Sequence, residues 1–576
     1  MPKYPNVDDI KFYNKINNIY KKYRIPKDNK TIAQFCKPRK FKLQYPQEFL
    51  SQFINPKTPY RGVLVYHRIG AGKTCSAIQI AEKWKKVRKI KVVLPASLKG
   101  NFRNELRSMC GGNNYLKPSE RKTLAELDPS DNKYKEIIKR SDERINEYYK
   151  IYSYNKFIES CQEGTMNLRK TLLIIDEVQN MVSETGSFYN QLKKLINSSD
   201  KSLRIVLLSA TPMFDKPTEI ALTMNLLMLP KKIPINREFE KTFIKTQKRG
   251  EKNYYYTKNM ELFKEYIKGY ISYYRGAPVY TFPKMKVRYV KCEMSKFQYN
   301  AYKTVSNKEK KQLKKRIKSM TVDTLPNNFY LGTRFVSNIV FPNMKTDYSG
   351  YHSFCGKEIT KRLYKYSTKF NAILNKLKKR GKTFIYSAFK ELSGLRSLVR
   401  VLEEMGYKNY VYHGPGKKRF AIWSGDESQY IKEEIREVFN RTDNLYGEKL
   451  KIILGSPSIK EGVSLKAVQY VHILEPYWNQ SRLDQVIGRA SRFCSHKDLP
   501  EEKRMVHVYI YIAVHEKEEE TVDEYIKKLS DNKNKIIRDF EKAIKESAVD
   551  CKLNKNANIY KDDKNIKNNE DIVCMK

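Results

Sequence analysis

The sequence predicts an α/β fold with two tandem domains, each built around a parallel β-sheet that is flanked by helices. Two series of short apolar runs carry this prediction, because each run is followed by helical or turn signals, as is typical of buried parallel strands. The first series is GVLVY at 62–66, KVVLP at 91–95, TLLIID at 171–176 and RIVLLSA at 204–210. The second is KTFIYSA at 382–388, KIILGS at 451–456, VHILEP at 471–476 and VHVYIYIAV at 506–514.

The length of the chain predicts several domains, because 576 residues exceed what one hydrophobic core usually supports. Tyr- and Lys-rich composition between the two series predicts a helical insertion and linker, and residues 107–148 predict a smaller helical insertion. From Lys552 onward Lys, Asn and Asp predominate, which predicts a frayed end. The predicted segments are a basic N-terminal segment at 1–40, the first α/β domain at 41–230, the insertion and linker at 231–365, the second α/β domain at 366–520, and a C-terminal helical extension with a disordered tail at 521–576.

The net charge favours a polyanionic partner. Lys and Arg total 113 against 63 Asp and Glu, a formal excess of +50. Nucleic acid is the partner that such an excess favours. An AT-rich genome also encodes many lysines, and here the basic residues are spread along the whole chain. The charge therefore supports nucleic-acid binding without establishing it.

The cysteines and the lengths of the apolar runs indicate the cellular environment in which the protein works. The nine cysteines include no C-x-x-C pair, which argues against a zinc ribbon or a disulfide framework and favours a reducing, cytosol-like environment. No uninterrupted apolar run approaches the roughly 18 residues that span a bilayer. The first residues also lack the apolar centre of a signal peptide. We therefore expect a soluble protein that has no membrane partner.

A glycine-containing turn follows the first apolar run, in the sequence HRIGAGKT. Gly70 and Gly72 allow the backbone to approach phosphate oxygens, and the helix that starts after them directs N–H groups at the same place. Lys73 is positioned to reach the β and γ phosphates, and the Thr74 hydroxyl to ligate Mg²⁺. His67 stands where the strict phosphate-loop pattern has its first glycine, and we interpret it as a packing residue.

Polar residues follow two further buried runs. Asp176 and Glu177 come at the end of TLLIID, where ligands bind in open α/β sheets. Asp176 is the candidate Mg²⁺ ligand, acting through water, and Glu177 is the candidate that polarises the attacking water. Ser209 and Thr211, after RIVLLSA, can hydrogen-bond this acidic pair and report its state to the rest of the protein.

The second domain supplies two arginines in the segment QVIGRASR. Gln485, Arg489 and Arg492 are spaced as on one face of a helix. Arginines can stabilise charge on a transferring γ-phosphoryl group. Arginines of a second domain do so only when that domain closes on the first, so hydrolysis would depend on domain closure.

These four blocks, in this order, resemble those of superfamily 2 helicases and translocases. More narrowly, NPKTPYRGVLVYHRIGAGKT, EGVSLKAVQYVHILEPYWNQSRLDQVIGRASRFCSH and AIKESAVDC are similar to helicase-like ATPases of large cytoplasmic DNA viruses. That group includes the poxvirus early transcription factor small subunit and nucleoside triphosphate phosphohydrolase I. The resemblance implies two RecA-like domains, ATP as substrate and Mg²⁺ as cofactor.

Further site residues are carried over by motif. Gln47 in YPQEFL stands where such proteins place an adenine-contacting glutamine, and Gln179 stands where hydrolysis is coupled to movement on nucleic acid. Many unwinding enzymes have Asp or His at the position of Gln179. VLPASLKGNF and GSPSIKEGVSL match nucleic-acid-contacting motifs. They supply the candidate contacts Ser97, Lys99, Ser458, Lys460, Glu461 and Gly462.

The resemblance implies a DNA-stimulated ATPase that moves along or remodels duplex DNA in viral transcription, either in initiation or in termination. Its partners would be double-stranded DNA or RNA, the viral RNA polymerase and a large transcription-factor subunit. Its location would be the virion and the host cytoplasm. One alternative is a processive helicase, although the sequence shows no strand-separating hairpin. The other is a basic, non-catalytic core protein that condenses nucleic acid, against which the complete set of site residues argues.

Overall fold

A computed structural model describes residues 4–27, 31–37, 40–68, 70–128, 131–183, 186–249, 252–316, 330–460, 463–558 and 572–576. The chain forms two compact units. The first unit contains residues 1–30, 37–279 and 535–576, and the second contains 31–36 and 280–534.

The first unit is built on a six-stranded parallel sheet. Its strands are β1 (Gly62–His67), β2 (Lys89–Leu94), β3 (Tyr149–Ser153), β4 (Thr171–Ile175), β5 (Arg204–Ser209) and β8 (Ile271–Tyr274). They lie in the order β3-β2-β4-β5-β1-β8. A separate antiparallel hairpin is formed by β6 (Ile244–Arg249) and β7 (Lys252–Thr257).

Both faces of the first sheet are covered, which explains its continuous apolar strands. Alternate residues of β1 enter two different cores: Leu64 and Tyr66 pack into one, and Val63 and Val65 pack into the other. Because the strands are parallel, their carboxyl ends lie at one edge of the sheet. The loops at that edge place polar residues side by side.

The second unit is built on a seven-stranded parallel sheet. Its strands are β9 (Lys284–Glu293), β10 (Lys382–Tyr386), β11 (Lys408–Asn409), β12 (Arg419–Trp423), β13 (Ile452–Gly455), β14 (Val468–Ile473) and β15 (Met505–Val514). They lie in the order β11-β12-β13-β10-β14-β15-β9. Two apolar cores again lie on the two faces of the sheet.

Helices connect and cover the strands. In chain order they are α1 (Phe12–Ile19), α2 (Ile32–Cys36), α3 (Tyr45–Phe53), α4 (Lys73–Trp84), α5 (Lys99–Arg107), α6 (Pro118–Glu126), α7 (Asn132–Tyr148), α8 (Tyr154–Gln162), α9 (Ser187–Asn197), α10 (Glu219–Asn225), α11 (Asn236–Phe243), α12 (Met260–Ile267), α13 (Lys296–Arg316), α14 (Leu331–Asn338), α15 (Tyr348–Ser353), α16 (Lys357–Thr360), α17 (Leu363–Tyr366), α18 (Thr368–Leu377), α19 (Leu395–Glu404), α20 (Tyr410–His413), α21 (Gln429–Asn440), α22 (Gln480–Ala490), α23 (Val522–Glu546) and α24 (Lys555–Asn558).

The α/β fold class and all eight predicted strands are confirmed. The interpretation of residues 231–365 as a helical insertion and linker was wrong in part. This region also contains β6 to β9, of which β8 joins the first sheet and β9 joins the second. β8 is short and rich in tyrosine, and β9 alternates basic and apolar residues at a sheet edge, so neither gives a continuous apolar run.

The prediction of a frayed end from Lys552 was wrong for the residues that the structure describes. Leu553 is buried in the first unit, and Cys551 is bonded to Cys574. The rest of the predicted tail, residues 559–571, lies outside the described residues.

The argument against disulfides was also wrong for this structure. It contains three disulfide bonds, Cys36–Cys494, Cys75–Cys110 and Cys551–Cys574. Their partners are separated by 458, 35 and 23 residues, so the spacing of cysteines along the chain gives no sign of the pairing. Within the described ranges, no helix combines the length and apolar character needed to cross a bilayer.

Candidate functional site

Residues 70–74, at the start of α4, have the backbone geometry of a phosphate-binding turn. Gly70 and Gly72 adopt φ values of 82° and 74°, in the left-handed region that favours glycine. Gly72 is the N-cap of α4, so Lys73 and Thr74 occupy the first turn, where unpaired N–H groups attract anions. The turn therefore fits a phosphate group, as the sequence predicts.

Gln47 contacts this loop directly. Its buried side chain donates from Nε2 to the Gly72 carbonyl at 3.3 Å, and its Oε1 accepts from the Gln44 backbone N–H at 2.9 Å. A side chain at position 72 would collide with it, because an added Cβ would lie 2.4 Å from Gln47 Nε2. The structure thus gives Gln47 a loop-supporting role, while its contact with adenine stays a prediction.

The acidic pair at the end of β4 lies beside Lys73. Lys73 Nζ is 3.2 Å from Glu177 Oε1, and the Glu177 N–H donates to Asp176 Oδ1 at 2.9 Å. Asp176 is buried and Glu177 is half-buried. Glu177 adopts φ 49° and ψ 48°, an uncommon conformation for a residue with a side chain and one that clusters at functional sites. The structure brings Lys73, Asp176 and Glu177 together as predicted.

Gln179 joins the acidic pair to the segment after β5. Its Nε2 donates to Glu177 Oε2 at 2.6 Å, and its Oε1 accepts from Ser209 Oγ at 2.7 Å. The Thr211 N–H donates to the same Ser209 oxygen at 3.0 Å. A continuous run of hydrogen bonds therefore leads from Lys73 to Thr211, and both ends of the Gln179 amide are engaged.

Tyr154 is a site residue that the sequence did not reveal. Its hydroxyl lies 2.6 Å from the carbonyl oxygen of Asp176 and 2.9 Å from that of Glu177. One tyrosine thus contacts the backbone on both sides of the left-handed turn. A lone tyrosine at the start of α8, in a chain with 42 of them, gave no signal of this role.

Gln485 and Arg489 lie on α22 of the second unit, but Arg492 does not, because that helix ends at Ala490. The prediction of one shared helical face was therefore wrong for Arg492. Its Nη2 donates to the Val463 carbonyl at 3.4 Å, and its Nε is buried without a hydrogen-bond partner among the described residues. Burial also lowers the pKa of this guanidinium. A half-buried guanidinium with a buried Nε donor that has no partner among the described residues fits binding of an anion.

The predicted nucleic-acid contacts lie at the carboxyl ends of strands. After β2, Ser97 is exposed and Lys99 is half-buried at the start of α5. After β13, Ser458 is exposed, and its Oγ is 2.9 Å from that of Ser456. The side chain of Lys460 and residues Glu461 and Gly462 lie outside the described part of the chain.

The sequence did not reveal the hairpin of β6 and β7, which lies in the first unit. Its base is attached to α23, because Thr257 Oγ1 donates to Asp539 Oδ2 at 2.7 Å. Three consecutive tyrosines of β7 differ in surroundings: Tyr254 is exposed, Tyr255 packs on the core, and Lys535 Nζ lies 4.8 Å from the Tyr256 ring.

Two family models match the chain. A model described as SNF2-related domain matches residues 26–338, and one described as helicase conserved C-terminal domain matches residues 367–494. The chain belongs to the SNF2-related helicases. The resemblance to superfamily 2 helicases is thereby confirmed. The first model includes all strands of the six-stranded sheet, and the second includes β10 to β14 of the seven-stranded sheet.

This SNF2-related helicase is similar to proteins of large DNA viruses. It is 52% identical over 565 residues, 98% of both chains, to a putative ATP-dependent RNA helicase of Acanthamoeba polyphaga mimivirus. It is 25% identical to the "Termination factor NPH-I homolog" of African swine fever virus, covering 93% of this chain and 83% of that protein.

Among solved structures, the chain is similar to the Hef helicase domain of Pyrococcus furiosus. The sequence identity is 14%, the coverage is 84% of this chain and 96% of that one, and the TM-score is 0.39. That score is too low to bear on the fold, which stands on the two parallel sheets themselves.

Proposed function

We propose that this helicase is a nucleic-acid-stimulated ATPase that uses ATP and Mg²⁺ to move along or remodel duplex DNA during viral transcription. The observation that carries the proposal is the unbroken path of hydrogen bonds from Lys73 through Glu177 and Gln179 to Ser209. Such a path joins the phosphate loop to a neighbouring strand end, so a change at the bound phosphate would reach the segment after β5.

Each residue of the site has a role that follows from its chemistry. Lys73 binds the β and γ phosphates, while Thr74 and Asp176 offer the oxygen ligands that Mg²⁺ prefers. Mg²⁺ neutralises charge on the phosphate oxygens when it is bound. Glu177 orients and deprotonates the attacking water. Arg489 and Arg492 are the proposed stabilisers of charge on the transferred phosphoryl group.

The choice of DNA and of transcription rests on the charge and on likeness to viral relatives. A net charge of +50 favours a nucleic-acid partner, and the viral RNA polymerase and a large transcription-factor subunit are the proposed protein partners. The African swine fever virus relative is named a termination factor, and initiation stays open beside termination. The proposed places of action are the virion and the host cytoplasm.

The test is steady-state ATP hydrolysis by the wild type and by Glu177→Gln, alone and with single-stranded DNA, duplex DNA or RNA of equal length. We expect stimulation by duplex DNA that disappears in Glu177→Gln. Hydrolysis that no nucleic acid stimulates would contradict the proposal. Stimulation chiefly by RNA would show that RNA, and not duplex DNA, is the nucleic acid on which the enzyme acts.

Unwinding is a second candidate activity, favoured by the hairpin of β6 and β7 and by the mimivirus relative's name as an RNA helicase. A hairpin can separate strands when it enters a duplex. Displacement of a labelled strand from tailed DNA and RNA duplexes tests this activity. Hydrolysis and translocation without displacement would leave translocation as the function.

A further inference from the structure

A buried hydrogen-bond relay connects the phosphate loop to the C-terminal segment. His67, the last residue of β1, lies 2.9 Å through Nε2 from Ser272 Oγ on the neighbouring strand β8. Ser272 in turn donates to Asp550 Oδ2 at 2.6 Å. All three side chains are fully buried. The residue that stands in place of the loop's first glycine is thus connected, through one serine, to a carboxylate 483 positions further along the chain.

Asp550 belongs to a series of three side chains, spaced four residues apart, that cover the outer edge of β8. Asp550 Oδ1 accepts from the Tyr273 N–H at 2.9 Å, and Asn554 Nδ2 donates to the Tyr273 carbonyl at 3.0 Å. Asn558 donates to that carbonyl at 3.2 Å and accepts from the Arg275 N–H at 2.9 Å. These side chains take the place of a further strand, because they satisfy the edge of the sheet.

The strand β8 also supports the loop backbone. The Arg68 N–H donates to the Tyr274 carbonyl at 3.1 Å, which fixes the chain directly after His67. Ala71 packs with Tyr274 and Ala557 in one small buried cluster. The segment 547–558 therefore contacts the loop through packing and through the relay.

The chemistry of the relay fixes the direction of its hydrogen bonds. Burial raises the pKa of Asp550 to about 6, so at neutral pH its carboxylate is mainly ionised and only accepts. A serine hydroxyl has one proton, and the Ser272 proton therefore goes to Asp550. Ser272 Oγ must then accept from His67 Nε2, which therefore carries the imidazole proton. Burial lowers the pKa of His67 to about 3, so the ring is neutral, and its Nδ1 is a buried acceptor without a partner among the described residues.

We propose that Asp550 is a positioning residue for ATP binding, because it sets the His67 tautomer through Ser272 and thereby fixes the start of the phosphate loop. The proposal rests on the proposed function, since it assigns ATP to this loop. The C-terminal segment would then affect the affinity for ATP, although it lies outside the motifs of the helicase core.

The variant Asp550→Asn tests the relay with a change of minimal size. The asparagine oxygen must still accept from the Tyr273 N–H, so its NH₂ group faces Ser272 and reverses both hydrogen bonds. His67 must then carry its proton on Nδ1, where a buried donor has no partner in the part of the chain that the structure describes. We expect the Kd of a fluorescent ATP analogue and the KM for ATP to rise about tenfold, with kcat within about twofold of wild type.

Two further variants separate the relay from a general loss of structure. His67→Gln offers an amide that can either donate or accept, so Asp550→Asn should add nothing to it, and the double variant should have the KM of His67→Gln alone. Asp539→Asn is the matched control, because Asp539 lies in the same C-terminal part and accepts from Thr257 of the hairpin instead of from the relay. Its ATP affinity should equal that of the wild type.

A wild-type KM and Kd in Asp550→Asn, or additive effects in the double variant, would overturn the relay. If Asp550→Asn does not fold, Ser272→Ala interrupts the same relay while Asp550 keeps its bond to Tyr273, and it should weaken ATP binding similarly. Nucleotide binding is measured independently of hydrolysis, so a wild type that binds ATP and does not hydrolyse it would refute the proposed ATPase and leave the relay testable. A wild type that binds no nucleotide would refute both.

Discussion

Ser209 donates a hydrogen bond from its Oγ to Gln179 Oε1 across 2.7 Å, which places the end of β5 in direct contact with the acidic motif at the end of β4. The other end of the Gln179 amide donates to Glu177 Oε2 at 2.6 Å. A shift of the chain after Ser209 would therefore move Gln179 and change its hydrogen bond to Glu177, the carboxylate that is proposed to orient water. This contact is the physical basis that we propose for coupling within the first unit.

Gln179→Ala should separate hydrolysis from nucleic-acid stimulation. The substitution removes both hydrogen bonds of the bridge and leaves Lys73, Asp176 and Glu177 in place. We expect ATP hydrolysis without nucleic acid to stay within about threefold of wild type, and stimulation by duplex DNA to fall about tenfold, equivalent to the loss of one or two buried hydrogen bonds. Steady-state rates with and without DNA measure both quantities.

The matched variant is Ser209→Ala, which breaks the same bridge from its other side. Because both variants remove one coupled interaction, the double variant should show the stimulation of either single variant. Multiplicative effects of the two substitutions would show that the bridge does not carry the coupling.

Glu177→Gln should bind ATP more tightly than the wild type while losing hydrolysis. Lys73 Nζ lies 3.2 Å from Glu177 Oε1, so the carboxylate competes with phosphate for the lysine. A partly exposed ion pair contributes at most about 1 kcal/mol, so its removal should lower the Kd for ATP about two- to fivefold. Equilibrium binding measures this, with Lys73→Ala as the control that loses affinity. Weaker binding by Glu177→Gln would contradict this role of the ion pair.

Tyr154→Phe should slow hydrolysis without abolishing ATP binding. The Tyr154 hydroxyl contacts the carbonyl oxygens of Asp176 and Glu177, and the left-handed conformation of Glu177 needs external support. Loss of this contact should cost about 1 kcal/mol and reduce kcat about fivefold to tenfold. Tyr152→Phe, two residues earlier on β3, is the control and should keep the wild-type kcat. Equal rates in both variants would refute the supporting role of Tyr154.

The sequence predicts the central parts of both sheets because buried parallel strands are continuous apolar runs. It misses the edge strands β8 and β9, because neither gives a continuous apolar run. The strand β8 has the sequence ISYY, and its outer edge is completed by Asp550, Asn554 and Asn558, which lie 277, 281 and 285 residues after Tyr273. No local pattern reveals such a pairing.

The same distinction applies to the site. Lys73, Asp176 and Glu177 were predicted because their chemistry is confined to short motifs at strand ends. Tyr154 and Asp550 were not, because each acts through one contact that only the fold creates. Arg492 was misplaced because helical spacing was extended past Ala490, where the helix ends.

Acid should destabilise the second unit through His472. Complete burial lowers the pKa of this histidine to about 3, while its Nδ1 lies 2.7 Å from the Tyr511 hydroxyl. A lowered pKa means that the unfolded chain binds more protons, so stability is full above the ordinary value of about 6.5 and is lost as pH falls towards 3, by up to about 1.4 kcal/mol per pH unit. Thermal unfolding between pH 7 and pH 4.5 measures this loss.

His472→Asn keeps a polar atom near Tyr511 and removes the titration, so its Tm should be lower at pH 7 and less dependent on pH. The control is His413→Asn, at an exposed position, which should preserve the wild-type pH profile. An unchanged slope in His472→Asn would assign the acid sensitivity to other groups.

The structure contains disulfide bonds, whereas the sequence favours a reducing environment in which cysteines stay as thiols. The oxidation state of the purified protein tests which of the two holds. Three disulfides among nine cysteines leave Cys161, Cys292 and Cys355 as thiols. Alkylation in denaturant without reductant should therefore modify three cysteines per chain, and alkylation after reduction should modify all nine.

The bond Cys75–Cys110 joins α4, directly after the phosphate loop, to a position 35 residues later. Closing a loop of that length contributes about 3 to 4 kcal/mol to the free energy of unfolding. Reduction should accordingly lower the Tm of the wild type, and Cys75→Ser should reproduce part of that decrease. Nine modified cysteines without reductant would show that the pairs are adjacent thiols, and the reductant should then leave the Tm unchanged.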